Sequence, residues 1–437
     1  MINLHHASCL DWLADYDGPL FDACVTDPPY EIGFMGKKWD NTGVAFRPET
    51  WRAVYDALKP GAHLVAFSST RTYHRMACAI EDAGFEIRDQ LMWTYGSGFP
   101  KSHDVSKGID RAAGAVREVV GSKLGQPGYH LSGHDGGETF GFGLSSSTSE
   151  TRLNSSQITA SATIEAAAWE GWGTALKPAL EPICLARKPL SEKSIAANVL
   201  KHGTGALNID ACRVNAGGQK LGGGMVSKGR PKASEGWDRP WMHDAEITER
   251  KKGESADKVA KAENLGRWPA NLLHDCSDEV LAGFPDTGAG TERKGHPGGS
   301  TFGGGKMADG VEGQWFGDSG SAARFFYSAK AGPLDRIGTA HATVKPVDVM
   351  RWLCRLVTPP GGHILEPFAG SGTTGIAAMA EGFDCTMIEL EADHVTDIER
   401  KLAFLRGEGA HTITEHNHAK RLRTAETPLG GLFGEAA

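Results

Sequence analysis

The stretch His363-Ile364-Leu365-Glu366-Pro367-Phe368-Ala369-Gly370-Ser371-Gly372-Thr373-Thr374-Gly375, running on into Ile376-Ala377-Ala378-Met379-Ala380, decides the fold. A short apolar strand, a glycine-rich turn and a helix start form the first βα unit of a nucleotide-binding fold, where glycines let a ligand approach the backbone. Another strand, Asp384-Cys385-Thr386-Met387-Ile388, ends on Glu389. An acid about twenty residues past the glycines suits the paired ribose hydroxyls of an adenosine-containing ligand. Ile376 stands where a Walker A loop needs its phosphate-gripping lysine, so that loop is excluded. A NAD-dependent oxidoreductase would show the same turn, and the turn alone leaves that alternative open.

Far upstream, Asp27-Pro28-Pro29-Tyr30 follows the apolar run Ala23-Cys24-Val25. Two prolines have no N–H to give a sheet ladder and bend the chain away from it. An acid, a free carbonyl and an aromatic ring are thus gathered at a strand's carboxyl end, where open α/β sheets put their active sites. The Asp27 carboxylate and the Pro28 carbonyl can each accept one hydrogen of an exocyclic NH2, while Tyr30 stacks on the ring that carries it. A proline turn with a buried tyrosine is the structural alternative.

Taken together, these motifs resemble those of the DNA amino-methyltransferases that use S-adenosylmethionine. Asp27-Pro28-Pro29-Tyr30 is similar to the family's catalytic motif, and Glu366 to Thr374 is similar to its cofactor motif. His341-Ala342-Thr343-Val344-Lys345-Pro346 resembles the HPTxKP segment that packs over the methionine end of the cofactor. Catalytic motif first and cofactor motif last is the family's permuted, beta-group order. Two positions depart from the pattern: Glu366 stands where the family usually has Asp, and Ala7-Ser8-Cys9 replaces the usual Gly-Asp-Cys turn.

The resemblance implies an α/β fold, a doubly wound Rossmann-like methyltransferase sheet, circularly permuted, with an inserted target-recognition region. It implies S-adenosylmethionine as cofactor, held by Lys345, Glu366, Pro367, Phe368, Gly370, Gly372, Thr373 and Glu389. Of these, Lys345 would meet the cofactor carboxylate, Glu366 its ammonium and Glu389 its ribose. Phe368 would line the adenosyl or methionine pocket, with ordinary core packing as the even alternative. The substrate would be a base extruded from double-stranded DNA, because an amine inside the duplex is out of reach. Asp in the first motif position points to adenine N6 and Ser would point to cytosine N4, the runner-up. A methylase of RNA or of a protein glutamine would usually carry Asn there, in the opposite motif order.

Chain organisation agrees with this division. In the first third, Phe21–Val25 reads as a strand, Glu49–Leu58 as a helix ending at Lys59-Pro60-Gly61, and His63–Phe67 as the next strand. Arg71–Ala83 then reads as a helix and Phe85–Trp93 as a strand. Residues 1–118 form the catalytic half of the core, and 119–168 a flexible Gly/Ser/Thr-rich insertion with too little apolar periodicity for a core. Residues 169–189 bring a core strand, whose apolar end would be the edge partner of a reversed hairpin. Residues 190–334 are the target-recognition region, 335–407 the cofactor half, opening with the helix Val347–Leu356, and 408–437 a disordered tail.

The formal net charge of −8 looks wrong for a nucleic-acid partner, since phosphate neutralisation supplies much of DNA affinity. Distribution matters more. Between Arg187 and Arg267 sixteen Lys or Arg stand against ten Asp or Glu. The densest clusters, Lys228, Arg230 and Lys232, then Arg250, Lys251 and Lys252, are interleaved with Trp237 and Trp241 and make the expected DNA face. No apolar run approaches the roughly eighteen residues that cross a bilayer, so no membrane partner is expected and the location is cytoplasmic. Eight cysteines without a CxxC pair argue against disulfides and a zinc site, and His130 and His134 read as loop residues. A homodimer is compatible with the sequence, which carries no mark of a restriction partner.

Overall fold

Asp22, the second residue of the first motif-bearing strand, explains how two distant stretches come to lie side by side. Its carboxylate pairs with Lys59 Nζ at 2.6 Å and accepts the backbone N–H of His363 at 2.9 Å. One buried acid thereby links the start of Phe21–Thr26 to the start of His363–Glu366. Phe21–Thr26 is buried along its whole length, as a strand covered on both faces must be. The computed structural model describes residues 1–33, 38–96, 98, 102–122, 157–215, 246, 265–287, 320–329, 335 and 344–406.

Nine strands of the described residues form one sheet: β1 Ile2–His6, β2 Phe21–Thr26, β3 Leu58–Phe67, β4 Glu86–Thr94, β5 Leu180–Arg187, β6 Leu272–His274, β7 Tyr327–Ser328, β8 His363–Glu366 and β9 Asp384–Glu389. Their spatial order is β1-β9-β8-β2-β3-β5-β4-β6-β7. The β8 and β2 strands are parallel, with Ile364 opposite Ala23 and Leu365 opposite Cys24. From β8 the chain winds outward to β9, and from β2 it winds the other way to β3. The reversal falls between β8 and β2, the switch point at whose carboxyl end open α/β sheets bind ligands. The expected doubly wound, permuted sheet is therefore present.

Helices cover both faces because their apolar residues recur at helical spacing. Helix α1 spans Cys9–Ala14, α2 Pro48–Ala57, α3 Tyr73–Asp82, α4 Ile195–His202, α5 Val347–Val357, α6 Thr373–Ala380 and α7 Ala392–Leu405. Trp51 of α2 is fully buried and donates its indole N–H to the Ala45 carbonyl. In α5 Trp352 is equally buried and donates to the Cys212 carbonyl. Among the described residues no helix is long and apolar enough to cross a membrane.

Three differences from the sequence reading have physical causes. The β3 strand begins at Leu58, so Lys59-Pro60-Gly61 lies inside it; the Pro60 carbonyl accepts from Asn198 and Thr204, which hold that proline-containing start in place. The β5 strand is antiparallel to β3 but interior rather than an edge, because β6 and β7 extend the sheet beyond β4. These two strands come from the 190–334 stretch, so part of that stretch joins the core sheet. Residues 95–180 form a second compact unit. Its strands Val119–Ser122 and Gln157–Thr159 pair antiparallel, and its centre is polar: Asp110 accepts from Arg117, Ala162 N–H and both donors of Thr163. A unit tied by one carboxylate shows little apolar periodicity, so the ends of the 119–168 insertion read as unstructured. Phe34, His130, His134, Trp237, Trp241, the six basic residues from Lys228 to Lys252 and the 408–437 tail lie outside the described residues.

Candidate active site

At the carboxyl end of β2, Pro28 and Pro29 terminate the strand and Tyr30 turns back against the core. Its carbonyl accepts from Thr72 Oγ1 at 2.9 Å, and its hydroxyl donates to Glu181 Oε2 at 2.8 Å. The next residue, Glu31, has φ +55°, a left-handed conformation that costs a non-glycine residue about 1–2 kcal/mol. Asp40, itself buried, offsets that cost by accepting the N–H groups of Glu31 and Ile32 at 2.8 and 3.3 Å. The proline turn and the loop after it are thus fixed from both sides.

Asp27 stands in an ion pair with Lys345, Nζ to Oδ2 at 2.8 Å. The same Nζ lies 3.1 Å from Glu181 Oε2, 5.1 Å from the centre of the Tyr30 ring and 5.0 Å from that of Phe67. Lys345 is 6% exposed. Burial alone would discharge it, but the carboxylates of Asp27 and Glu181 outweigh burial and hold its ammonium well above the usual lysine range. Burial, Asp27 and Glu181 likewise push the Tyr30 hydroxyl well up, so it remains a donor. The other carboxylate oxygen, Asp27 Oδ1, is buried and has no hydrogen-bond partner among the described residues. A buried acceptor left open costs about 1–3 kcal/mol, which makes it a place prepared for a donor.

On the adjacent strand the glycine-rich turn is built around two acids. Glu366 is 1% exposed; its Oε1 accepts from Thr26 Oγ1 and from Phe368 N–H, and its Oε2 from Thr374 Oγ1. Thr26 is the residue before Asp27, so this hydrogen bond joins the two motifs directly. The longer glutamate, where the family usually has Asp, folds into its own turn and binds the helix start behind it. Glu389 accepts the Gly370 N–H at 2.6 Å and the Glu391 N–H at 2.9 Å, with His394 Nδ1 at 3.5 Å. Burial raises its pKa, but the hydrogen bonds from His394 and the two N–H groups win and hold it below the ordinary carboxylate value. Gly372 sits at φ +74°, where a Cβ would be strained and would press on Ile398 at 3.0 Å. Lys401 of α7 reaches from behind to the Ser371 carbonyl at 3.4 Å.

Burial pushes the Glu366 carboxyl from 4.5 up to about 8, against the hydrogen bonds of Thr26, Thr374 and Phe368. The folded state therefore holds a proton that the unfolded chain gives up above pH 4.5. Stability should fall as pH rises from about 4.5 through about 8, at up to about 1.4 kcal/mol per pH unit from this group. Glu366→Gln, shaped like the neutral acid, should flatten that slope in urea titrations across the range. An unchanged slope would show that the proton is held elsewhere.

Asp27, Pro28, Pro29 and Tyr30 thus lie beside Glu366 to Thr373, at the ends of neighbouring strands. Phe368 is half-buried and packs toward Trp51, ring centres 6.4 Å apart, which favours core packing for it. Lys345 departs from expectation: its ammonium is committed to Asp27 and Glu181 rather than standing free for a cofactor carboxylate. The sequence reading did not single out Glu181, Asp40, Thr26, His394 or Lys401. Glu181 alone left a trace, as an acid at the start of an otherwise apolar strand.

A family model described as DNA methylase, of the N6/N4 type, matches residues 21–113 and 238–400, more than half of the chain. The type II methyltransferase M.XycI of Xanthomonas campestris pv. cyanopsidis is 39% identical over 57 residues, which are 13% of this chain and 19% of that relative. The chain thus spans about a fifth of the length of this curated relative. Among solved structures, the M1.HpyAVI–SAM complex is 14% identical with a TM-score of 0.38, covering 92% of this chain and 99% of the other. The cytosine-N4-specific PvuII DNA methyltransferase is 12% identical with a TM-score of 0.39, covering 99% and 93%. The structure titled TTHA0409, a DNA modification methylase of Thermus thermophilus complexed with S-adenosyl-L-methionine, is 14% identical with a TM-score of 0.35, covering 92% and 94%.

Proposed function

The chain belongs to the N6/N4 family of DNA methylases, and we propose that it transfers a methyl group from S-adenosylmethionine to the exocyclic amine of a base turned out of double-stranded DNA, namely adenine N6. The observation that carries this reading is Asp27 Oδ1, a buried acceptor without a partner among the described residues, next to a glycine-rich turn at the sheet's switch point. An amine nitrogen conjugated to a ring is a poor nucleophile. Accepting its two hydrogens, one at Asp27 Oδ1 and one at the Pro28 carbonyl, turns the nitrogen toward tetrahedral geometry and localises its lone pair. Tyr30 offers a ring face that offsets the few kcal/mol lost on unstacking the base.

The residues around the turn suit the cofactor by their chemistry. Glu389 keeps an ionised carboxylate for a ribose diol; three of about four acceptor positions on it are taken, and one remains. Glu366 likewise has one acceptor position left, on Oε2, suited to an ammonium. Gly370 and Gly372, both at positive φ, leave the backbone open to close approach. When bound, S-adenosylmethionine supplies an electrophilic methyl carbon on a sulfonium. Holding the amine in line with that carbon is the larger share of the rate, since orientation can contribute about 7–11 kcal/mol. Once the new N–C bond has formed the nitrogen carries one proton too many, and Asp27 Oδ1 is the acceptor beside it.

Expression in a host that lacks adenine methylation, followed by sequencing its DNA with a method sensitive to modified bases, tests both base and motif. N6-methyladenine at one short sequence is the expected result. N4-methylcytosine would keep the methyl transfer and overturn adenine as the target. Unmodified DNA, with the chain soluble and present, would overturn the function itself.

A further inference from the structure

Lys345 and Glu181 are buried charges in the pocket that have no part in gripping the amine. We infer that both are positioning residues: Glu181 anchors the Lys345 ammonium and the Tyr30 hydroxyl, and Lys345 covers one oxygen of Asp27 so that only the other is presented to the amine. This deepens the proposed methyl transfer and rests on that reading.

Geometry leads to it. One Nζ sits 2.8 Å from Asp27 Oδ2 and 3.1 Å from Glu181 Oε2, and that same Glu181 oxygen accepts the Tyr30 hydroxyl at 2.8 Å. Three side chains that touch the expected base are therefore fixed relative to one another through Glu181 Oε2. Without the lysine, two carboxylates would face each other across the space of one ammonium, and each would turn away. A freely turning Asp27 would offer either oxygen in many directions. With Oδ2 held, the orphaned Oδ1 has a single direction, which an in-line reaction needs. The arrangement also separates two parts for Lys345, since an ammonium between two carboxylates is not free to hold the carboxylate of a cofactor.

The test uses the full chain and the variants Glu181→Gln, Lys345→Met, Lys345→Ala and Glu181→Gln with Lys345→Met. Single-turnover methyl transfer to DNA is measured beside S-adenosylhomocysteine binding by calorimetry. Each single variant should slow transfer about 100-fold, because a misplacement of about 1 Å costs that much. The double variant should be no slower than the slower single one, as residues acting as one unit are non-additive. Affinity for S-adenosylhomocysteine should stay at the wild-type value in all four. Added ethylammonium should restore part of the rate of Lys345→Ala but none of that of Glu181→Gln. Affinity that falls with the rate in Lys345→Met would overturn the inference, assigning the lysine to the cofactor. So would wild-type transfer in Glu181→Gln, which keeps the side-chain shape and is the deciding variant should Lys345→Met not fold. If the wild type methylates no DNA, the functional reading fails, and the binding arm still decides the place of Lys345.

Discussion

Asp27→Ala is expected to abolish methyl transfer while leaving S-adenosylhomocysteine binding intact. The substitution removes the only carboxylate among the described residues that keeps a buried, unpartnered oxygen. It also strips Lys345 of one of its two carboxylates, and a buried ammonium with half its compensation destabilises the fold by about 3–5 kcal/mol when a partner is lost outright. Glu181 still holds the lysine in the variant, so the loss should lie at the lower end of that range. Asp27→Asn separates the two effects. The amide keeps the shape and can accept through its oxygen, yet it cannot neutralise Lys345 or take the surplus proton. A fall of about 1000-fold or more in single-turnover rate, with cofactor affinity unchanged, is the expected result for both variants. Lost cofactor binding in a folded Asp27→Asn would show that the two motifs do not divide the labour as described.

Tyr30 should give the second largest effect, graded by what replaces the ring. Tyr30→Ala removes the stacking surface, worth about 1–3 kcal/mol per base, so methyl transfer should fall roughly 10- to 100-fold. It also leaves Glu181 Oε2 with the lysine alone. Tyr30→Phe keeps the ring and loses only the hydrogen bond to Glu181, for which a loss of about tenfold is expected. Tyr30→Trp keeps a stacking face and should rank with Phe. Measuring kcat and KM for DNA in the three variants checks the order. Equal losses in Ala and Phe would assign the effect to the hydroxyl and its Glu181 anchor, and remove stacking from the mechanism.

Both motif strings were legible because their signals are local. A strand that meets two prolines must end, and a strand followed by Gly370 and Gly372 must turn where a ligand can approach, whatever surrounds them. That β2 and β8 are neighbours followed from the family resemblance alone; the structure supplies the physical link in Asp22, which binds Lys59 and the His363 N–H. Lys345 was misread because its partner Glu181 lies far upstream on another strand, and a lone lysine carries no sign of which carboxylate it meets. Asp40 was missed for a related reason: its role depends on the left-handed Glu31, a conformation nothing in the letters announces. The strands Leu272–His274 and Tyr327–Ser328 are too short for period-two alternation to show. The 95–180 unit escaped because its centre is a carboxylate network around Asp110, where pattern reading looks for an apolar stripe.

The central claim is that a methyl donor and a base amine meet where β8 and β2 end together. The most direct measurement is incubation of the purified chain with methyl-labelled S-adenosylmethionine and unmodified duplex DNA, followed by digestion to nucleosides. The label is predicted on the exocyclic nitrogen of adenine, in the wild type and not in Asp27→Ala. Label absent from the DNA, or equal in both proteins, would contradict the account.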